Sequence, residues 1–467
     1  MEEHVGRWIM RPMSFLVLFL FVSLGISGGA NRGEKRAGSA VAPYSDVRGL
    51  DLRGQGVTLD LVRTLWFNEK TVWDADDRLL ALQVMSRGKN PGLGVRALHA
   101  RGINGAGVRV AIIDQNMCLN HPEFAGKIAA YRDMGCGMPS NVGSMHGPAV
   151  TSLLVGQNIG TAPGSRVYYA AVPSWKKDAQ YYADALNWII EKNLSLTGRN
   201  RIRVVSVSAA PSGPGTPFTR NQDAWDRAVA RAEESGLLVL DCSEDHGWVN
   251  PGYYNVESPE DVSAASSGSP RYGSLNSCPE RYVAAPNCFR TQAEEYNCGD
   301  GSYQFMGQSG LSWSVPYVAG VLAMGWQVQP ELDGERAARL LRESAQVKNG
   351  CRIIDPEEFI VRVSDWPVYP PSHFALARLE NNLIFAREYV NRLTWEEGTA
   401  GRSAIGHYRI YRRAKNAAVD SWALLIELAG SVFSFDDRGL GSDQFFAYAI
   451  AAVSVHGVES DRAFVGN

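Results

Sequence analysis

The chain has 467 residues, 45% of them hydrophobic and 20% charged, with a formal net charge of −3. That length exceeds one ordinary domain, and the near-balanced charge argues against a chain that holds nucleic acid by bulk electrostatics. After the N-terminal segment, no apolar run reaches the roughly 18 residues that a membrane span requires.

Residues 1–30 read as a secretory signal. Arg7 and Arg11 precede the largely apolar run from Ser14 to Ile26, and Gly28-Gly-Ala30 offers a small-residue cleavage site. Residues 31–94 begin polar and Gly-rich, then supply the strand-like or helix-like stretch Thr58–Phe67. Val108-Arg-Val-Ala-Ile-Ile-Asp114 is an apolar run ending in an acid, the pattern of a buried parallel strand. The C-terminal ends of such strands are where open α/β sheets bind their ligands. At His146-Gly147-Pro148 a histidine stands at the entrance to an apolar helix. Val167–Val172, Arg203–Ser208 and Leu237–Cys242 read as strands, with helical spacing over Tyr181–Lys192 and Ala224–Glu234 between them. This alternation predicts an α/β domain with a mainly parallel sheet flanked by helices.

Gly310-Leu-Ser312-Trp-Ser-Val-Pro316 places a serine at the mouth of an apolar helix that continues to Trp326. Pro316 suits a first helical turn, where its missing N–H costs nothing. Asp114, His146 and Ser312 together supply an orienting acid, a base and a nucleophile in chain order. Asp333–Ala345 reads as an amphipathic helix closing the domain. Ser364–Pro371 is Pro-rich and extended, a linker spanning 364–372. Beyond it, alternating strands at Leu393–Trp395, His407–Tyr411, Trp422–Ile426 and Phe445–Val453 predict an all-β sandwich over 373–467. Seven cysteines in an exported chain allow up to three disulfides with one thiol over. None has zinc-ligand spacing, so no metal or other cofactor is assigned.

Over 95–363 these stretches resemble the subtilisin-like serine proteases, the subtilases. Val95–Gly107 is similar to their N-terminal helix and loop, Asp114 to the catalytic aspartate with His121-Pro122 downstream, and His146-Gly147 to the histidine motif. Thr161-Ala162-Pro163 resembles the family's Val-Ala-Pro, and Ser312 stands in its Gly-x-Ser frame. The C-terminal segment resembles a fibronectin type III domain, with Trp395 as core tryptophan, Tyr448 placed for a tyrosine corner and Gly457–Ser460 as terminal turn.

The resemblance implies a secreted serine endopeptidase, monomeric, acting on polypeptides, with no nucleic acid partner and no membrane attachment once the signal is cleaved. It also implies an oxyanion hole made of the Ser312 backbone N–H and one side-chain donor. Ungapped alignment of Gly236–Gly247 puts Asp245 at that donor position, where the family has asparagine, and Glu244 where it has glycine. Ser208, Ala209, Ala210 and Glu244 then form walls of the primary substrate pocket, and Glu244 favours a basic side chain there; the alternative is a re-routed loop on which Glu244 and Asp245 turn outward and another group fills the oxyanion hole. Leu311 and Gln115-Asn116 also depart from the family's usual residues. Residues 31–94 stand where the family carries a pro-segment, or form an extension that wraps the catalytic domain. Because the surroundings of the triad are unusual, a secreted pseudoprotease that binds without cutting is the alternative function.

Overall fold

The structure, a computed structural model, describes residues 41–139, 141–382, 387–398, 404–418 and 420–466. The predicted signal at 1–30 lies outside them. At the centre is a five-stranded parallel sheet in the spatial order Ile128–Asp133, Arg166–Ala171, Arg109–Asp114, Ile202–Val207, Leu238–Leu240. Side chains alternate across a strand, so the run ending at Asp114 feeds two cores. Val110 and Ile112 pack with the helices His146–Val155 and Ser314–Val328, while Ala111 and Ile113 face Gln180–Leu194 and Gln222–Glu234. Both faces are covered, and for that reason the strand is apolar without interruption. Ser314–Val328 is buried all round from Ser314 to Trp326, as a helix enclosed by its own domain must be.

A second sheet continues the architecture in the order Gln346–Lys348, Cys351–Ile353, Val283–Pro286, Val249–Tyr253, Ser266–Ser267, its middle three strands parallel. The residues before Val95 form part of the same body. Trp66–Asn68 pairs antiparallel with Ser302–Met306, which pairs in turn with Arg290–Glu294. The helix Ala75–Arg87 covers that sheet, burying Ala81, Val84 and Met85 with Phe67 and Phe305. Disulfides join Cys118 to Cys298 and Cys278 to Cys351, while Cys136, Cys242 and Cys288 are free and buried. Among the described cysteines there are thus two bridges, one fewer than the sequence allows.

The amphipathic helix runs Gly334–Ser344, and a further helix, Pro356–Asp365, ends in what the sequence assigned to the linker. The extended connection is 366–371, because strand Ser372–Asn382 follows at once. Two antiparallel sheets then face each other. Ser372–Asn382, Arg387–Glu396 and Ser434–Leu440 form one; Ala423–Ala429, Ile405–Ala414, Phe446–Ser454 and Ala463–Val465 form the other. Trp395 meets Tyr408 edge-on between them, ring centroids 5.5 Å apart. The Tyr448 hydroxyl donates to the Asp437 carboxylate at 2.6 Å and accepts from Asn391 at 2.8 Å. Its partners are therefore side chains, where a tyrosine corner would use a backbone carbonyl.

Candidate active site

Asp114 is the last residue of the central strand, and only 3% of it is exposed. Its Oδ1 accepts the Gln115 backbone N–H at 2.7 Å and lies 2.8 Å from His146 Nδ1. With Asp114 ionised, that nitrogen carries the proton and Nε2 is left as the basic face of the ring. His146 opens its helix, and the glycine after it allows the approach. A Cβ on Gly147 would come within 2.6 Å of the Tyr169 hydroxyl and 3.2 Å of the Asn116 carbonyl. Thus the His-Gly pair reflects how tightly the helix end presses on the loop that follows Asp114. The Cys118–Cys298 disulfide and the Gly143 N–H to Tyr296 carbonyl bond (2.9 Å) hold the segment between the two residues to the turn that joins Arg290–Glu294 to Ser302–Met306.

Ser312 lies in the single turn Leu311–Trp313 that leads into Ser314–Val328. Ser314 Oγ anchors the start of that helix to the Ala285 carbonyl at 2.8 Å. Ser208 Oγ donates to the Ser312 carbonyl at 2.7 Å, and the Ser312 hydroxyl donates back to the Ser208 carbonyl at 3.3 Å. The indole of Trp313 lies 4.8 Å from the His146 ring, centroid to centroid. Asp114, His146 and Ser312 thus line one cleft of about 400 Å³. The serine hydroxyl is turned to Ser208; in resting hydrolases the serine–histidine bond often tightens only with substrate in place.

Ser208, Ala209 and Ala210 line the same cleft, together with Trp175, Phe218, Tyr272, Leu275 and Leu311. Cys242 lines it too, its thiol pushed well above the ordinary range by burial and then by the nearby Asp241 and Asp114 charges. It is an uncharged part of the wall.

Glu244 and Asp245 are a correction to the sequence reading. Both are exposed, and neither borders the cleft. The chain turns sharply after its strand. Gly247 N–H bonds back to the Ser243 carbonyl at 3.0 Å and His246 N–H to Ser243 Oγ at 3.1 Å. The buried Asp241 pins this turn, accepting from Ser243 Oγ at 2.7 Å and from the Trp225 indole at 2.9 Å. Burial raises the Asp241 pKa, against the lowering effect of those bonds. The carbonyls of Glu244 and Asp245 are bound by the Arg281 guanidinium, and the Asp245 carboxyl leans on Gly213. An ungapped alignment assumes the loop keeps its path, and this short turn does not.

The described residues contain no group of three or more His, Cys, Asp or Glu placed to hold a metal ion, and no helix long and apolar enough to cross a membrane.

Residues 105–358 match the model of the subtilase family. The chain is 23% identical over 278 residues to the subtilisin-like protease PopC of Myxococcus xanthus, covering 54% of this chain and 58% of that one. It is 26% identical over 238 residues to a subtilisin of Bacillus pumilus, covering 49% and 80%. A solved protease structure from Pseudoalteromonas arctica overlaps 59% of this chain and 94% of its own, at 18% identity and a TM-score of 0.43. On the family match, which spans more than half of its length, the chain belongs to the subtilase family.

Proposed function

We propose that this protein is a secreted serine endopeptidase that cleaves polypeptides through an acyl-enzyme on Ser312. The observation that carries the reading is the 2.8 Å contact between His146 and the buried Asp114, in the cleft that Ser312 also lines. Ser312 Oγ attacks the peptide carbonyl while His146 Nε2 takes its proton. Asp114 holds the tautomer and stabilises the imidazolium, and His146 then protonates the leaving amine. Water hydrolyses the ester by the same route. With Glu244 outside the cleft, its apolar walls favour large apolar side chains, not basic ones.

Secretion is supported by the leader-like residues 1–30 and by the two disulfides, which persist in oxidising compartments. The facing sheets with Trp395 at their centre support a fibronectin type III-like sandwich. The displacement of Asp245 favours a second reading, a pseudoprotease that binds peptides and does not cut them. A fluorophosphonate probe, run beside a peptide library, separates the two. Labelling lost in Ser312→Ala, with cleavage after large apolar residues, is the expected outcome. A folded wild type that neither labels nor cleaves is a pseudoprotease.

A further inference from the structure

With Asp245 outside the cleft, the side-chain donor for a charged tetrahedral oxygen must come from elsewhere. Four carboxamides line the cleft: Gln115, Asn250, Asn287 and Gln308. Three already use one amide hydrogen on a protein acceptor. Gln115 Nε2 donates to Ser174 Oγ at 2.8 Å, Asn287 Nδ2 to the Ser309 carbonyl at 3.0 Å, and Gln308 Nε2 to that same carbonyl at 3.2 Å. The Asn250 carboxamide has no hydrogen-bond partner among the described residues, although only 7% of the residue is exposed. Its amide atoms are not sealed from solvent; they open on the cleft and can donate to what enters it.

Its place in the fold fits the task. Asn250 is the second residue of Val249–Tyr253; Val249 turns into the core, so Asn250 turns the other way, to the cleft. It pairs in register with Ala284, and the next carbonyl on that strand, Ala285, receives the Ser314 hydroxyl that anchors the nucleophile's helix. The strand also packs directly against the Leu311–Trp313 turn. Rigid strand-to-helix packing thus ties Asn250 to Ser312, where Asp245 hangs on an exposed turn.

We propose that Asn250 is a catalytic residue, the side-chain half of the oxyanion hole, acting with the backbone N–H of Ser312. This rests on the endopeptidase reading above. As the Ser312 Oγ–carbon bond forms, the carbonyl π pair moves to oxygen and the serine proton passes to His146 Nε2. Asn250 donates a hydrogen bond to that oxygen and transfers no proton. When the intermediate collapses, the pair returns, the C–N bond breaks and His146 protonates the amine.

The test is steady-state kinetics on a peptide substrate with wild type, Ser312→Ala, Asn250→Leu and Asn250→Asp, each checked for an unchanged melting temperature. Asn250→Leu removes the donor at similar size and should lower kcat by about 10²–10³-fold with KM nearly constant, because the bond is made only in the transition state. Asn250→Asp keeps the shape if the leucine variant does not fold. It should be equally impaired at pH 8 and recover toward acid pH, as a protonated carboxyl regains a donor. Turnover within about threefold of wild type in a folded variant, or loss confined to KM, overturns the role of Asn250 and leaves the endopeptidase reading standing. Absence of Ser312-dependent turnover in wild type overturns both.

Discussion

The two segments that flank the subtilase-family body are joined to it in different ways. Residues 41–94 are woven in. Trp66 lies in the central core, its indole donates to Gln304 at 2.8 Å, and the Arg48 guanidinium sits 3.4 Å above its ring. Asn68 bonds to the buried Glu294 at 2.8 Å, and Thr291 Oγ1 to the Met85 carbonyl at 2.6 Å. The C-terminal sandwich is docked. Among the described residues, none of its strands joins a sheet of the preceding body. Its junction is a cluster of side-chain clamps around the apolar Val458: Asp365 accepts from Ser454 at 2.8 Å and His456 at 2.6 Å, and Arg336 meets Asp461 at 2.6 Å. Shared backbone pairing makes a segment part of one cooperative unit; the sandwich meets the body through side chains instead, with Trp395, Tyr448 and Val458 in the same apolar cluster as Leu340 and Phe359.

The sharpest break of this contrast is deletion. No residue of 41–94 lines the cleft, and removing the segment strips the partner strand from Ser302–Met306 and bares Phe305. A chain that starts at Val95 is expected to lose all activity and soluble yield. Intact-mass analysis of the purified, active protein should accordingly find residues 41–94 retained; an active species that begins after Gly94 would make the segment a removable pro-segment. Trp66→Ala is the next largest. It empties a core site and breaks the Gln304 bond, at a cost of about 3–5 kcal/mol read by denaturant unfolding. A cost below about 1 kcal/mol would mean the strand is only laid on the surface. The smallest effect belongs to the junction. Asp365→Ala leaves two donors unpaired and should cost about 1–3 kcal/mol. Because Asp365 does not line the cleft, the substitution should change kcat/KM by less than about twofold. A large fall in kcat/KM would show the sandwich coupled to the site.

How far the site was legible follows the same line. Asp114, His146 and Ser312 each sit inside a local signal: an apolar run that stops at an acid, a His-Gly pair at a helix start, and a serine before a Pro-initiated helix. The parallel sheet was readable from apolar runs alternating with helical spacing, and the helix Gly334–Ser344 and the strand Ile405–Ala414 were legible within a few residues. Glu244 and Asp245 had two readings open, in the site or turned outward, because their position depended on the path of a loop. That path is set by Asp241 reaching Trp225 and Ser243, and no spacing reports it. Asn250 gave no signal at all, being one polar residue beside a proline and a glycine.

The sequence by itself determined the strongly patterned elements, the strands of the central sheet and the helices between them, since strand and helix periods and Gly or Pro positions act within a few residues. Only the tertiary structure decided that Cys118 pairs with Cys298, that Trp66 meets Gln304 across 238 positions, and that Asn250, not Asp245, borders the cleft. Such contacts arise when distant segments bury a common core, and a linear pattern carries no record of which surfaces then meet.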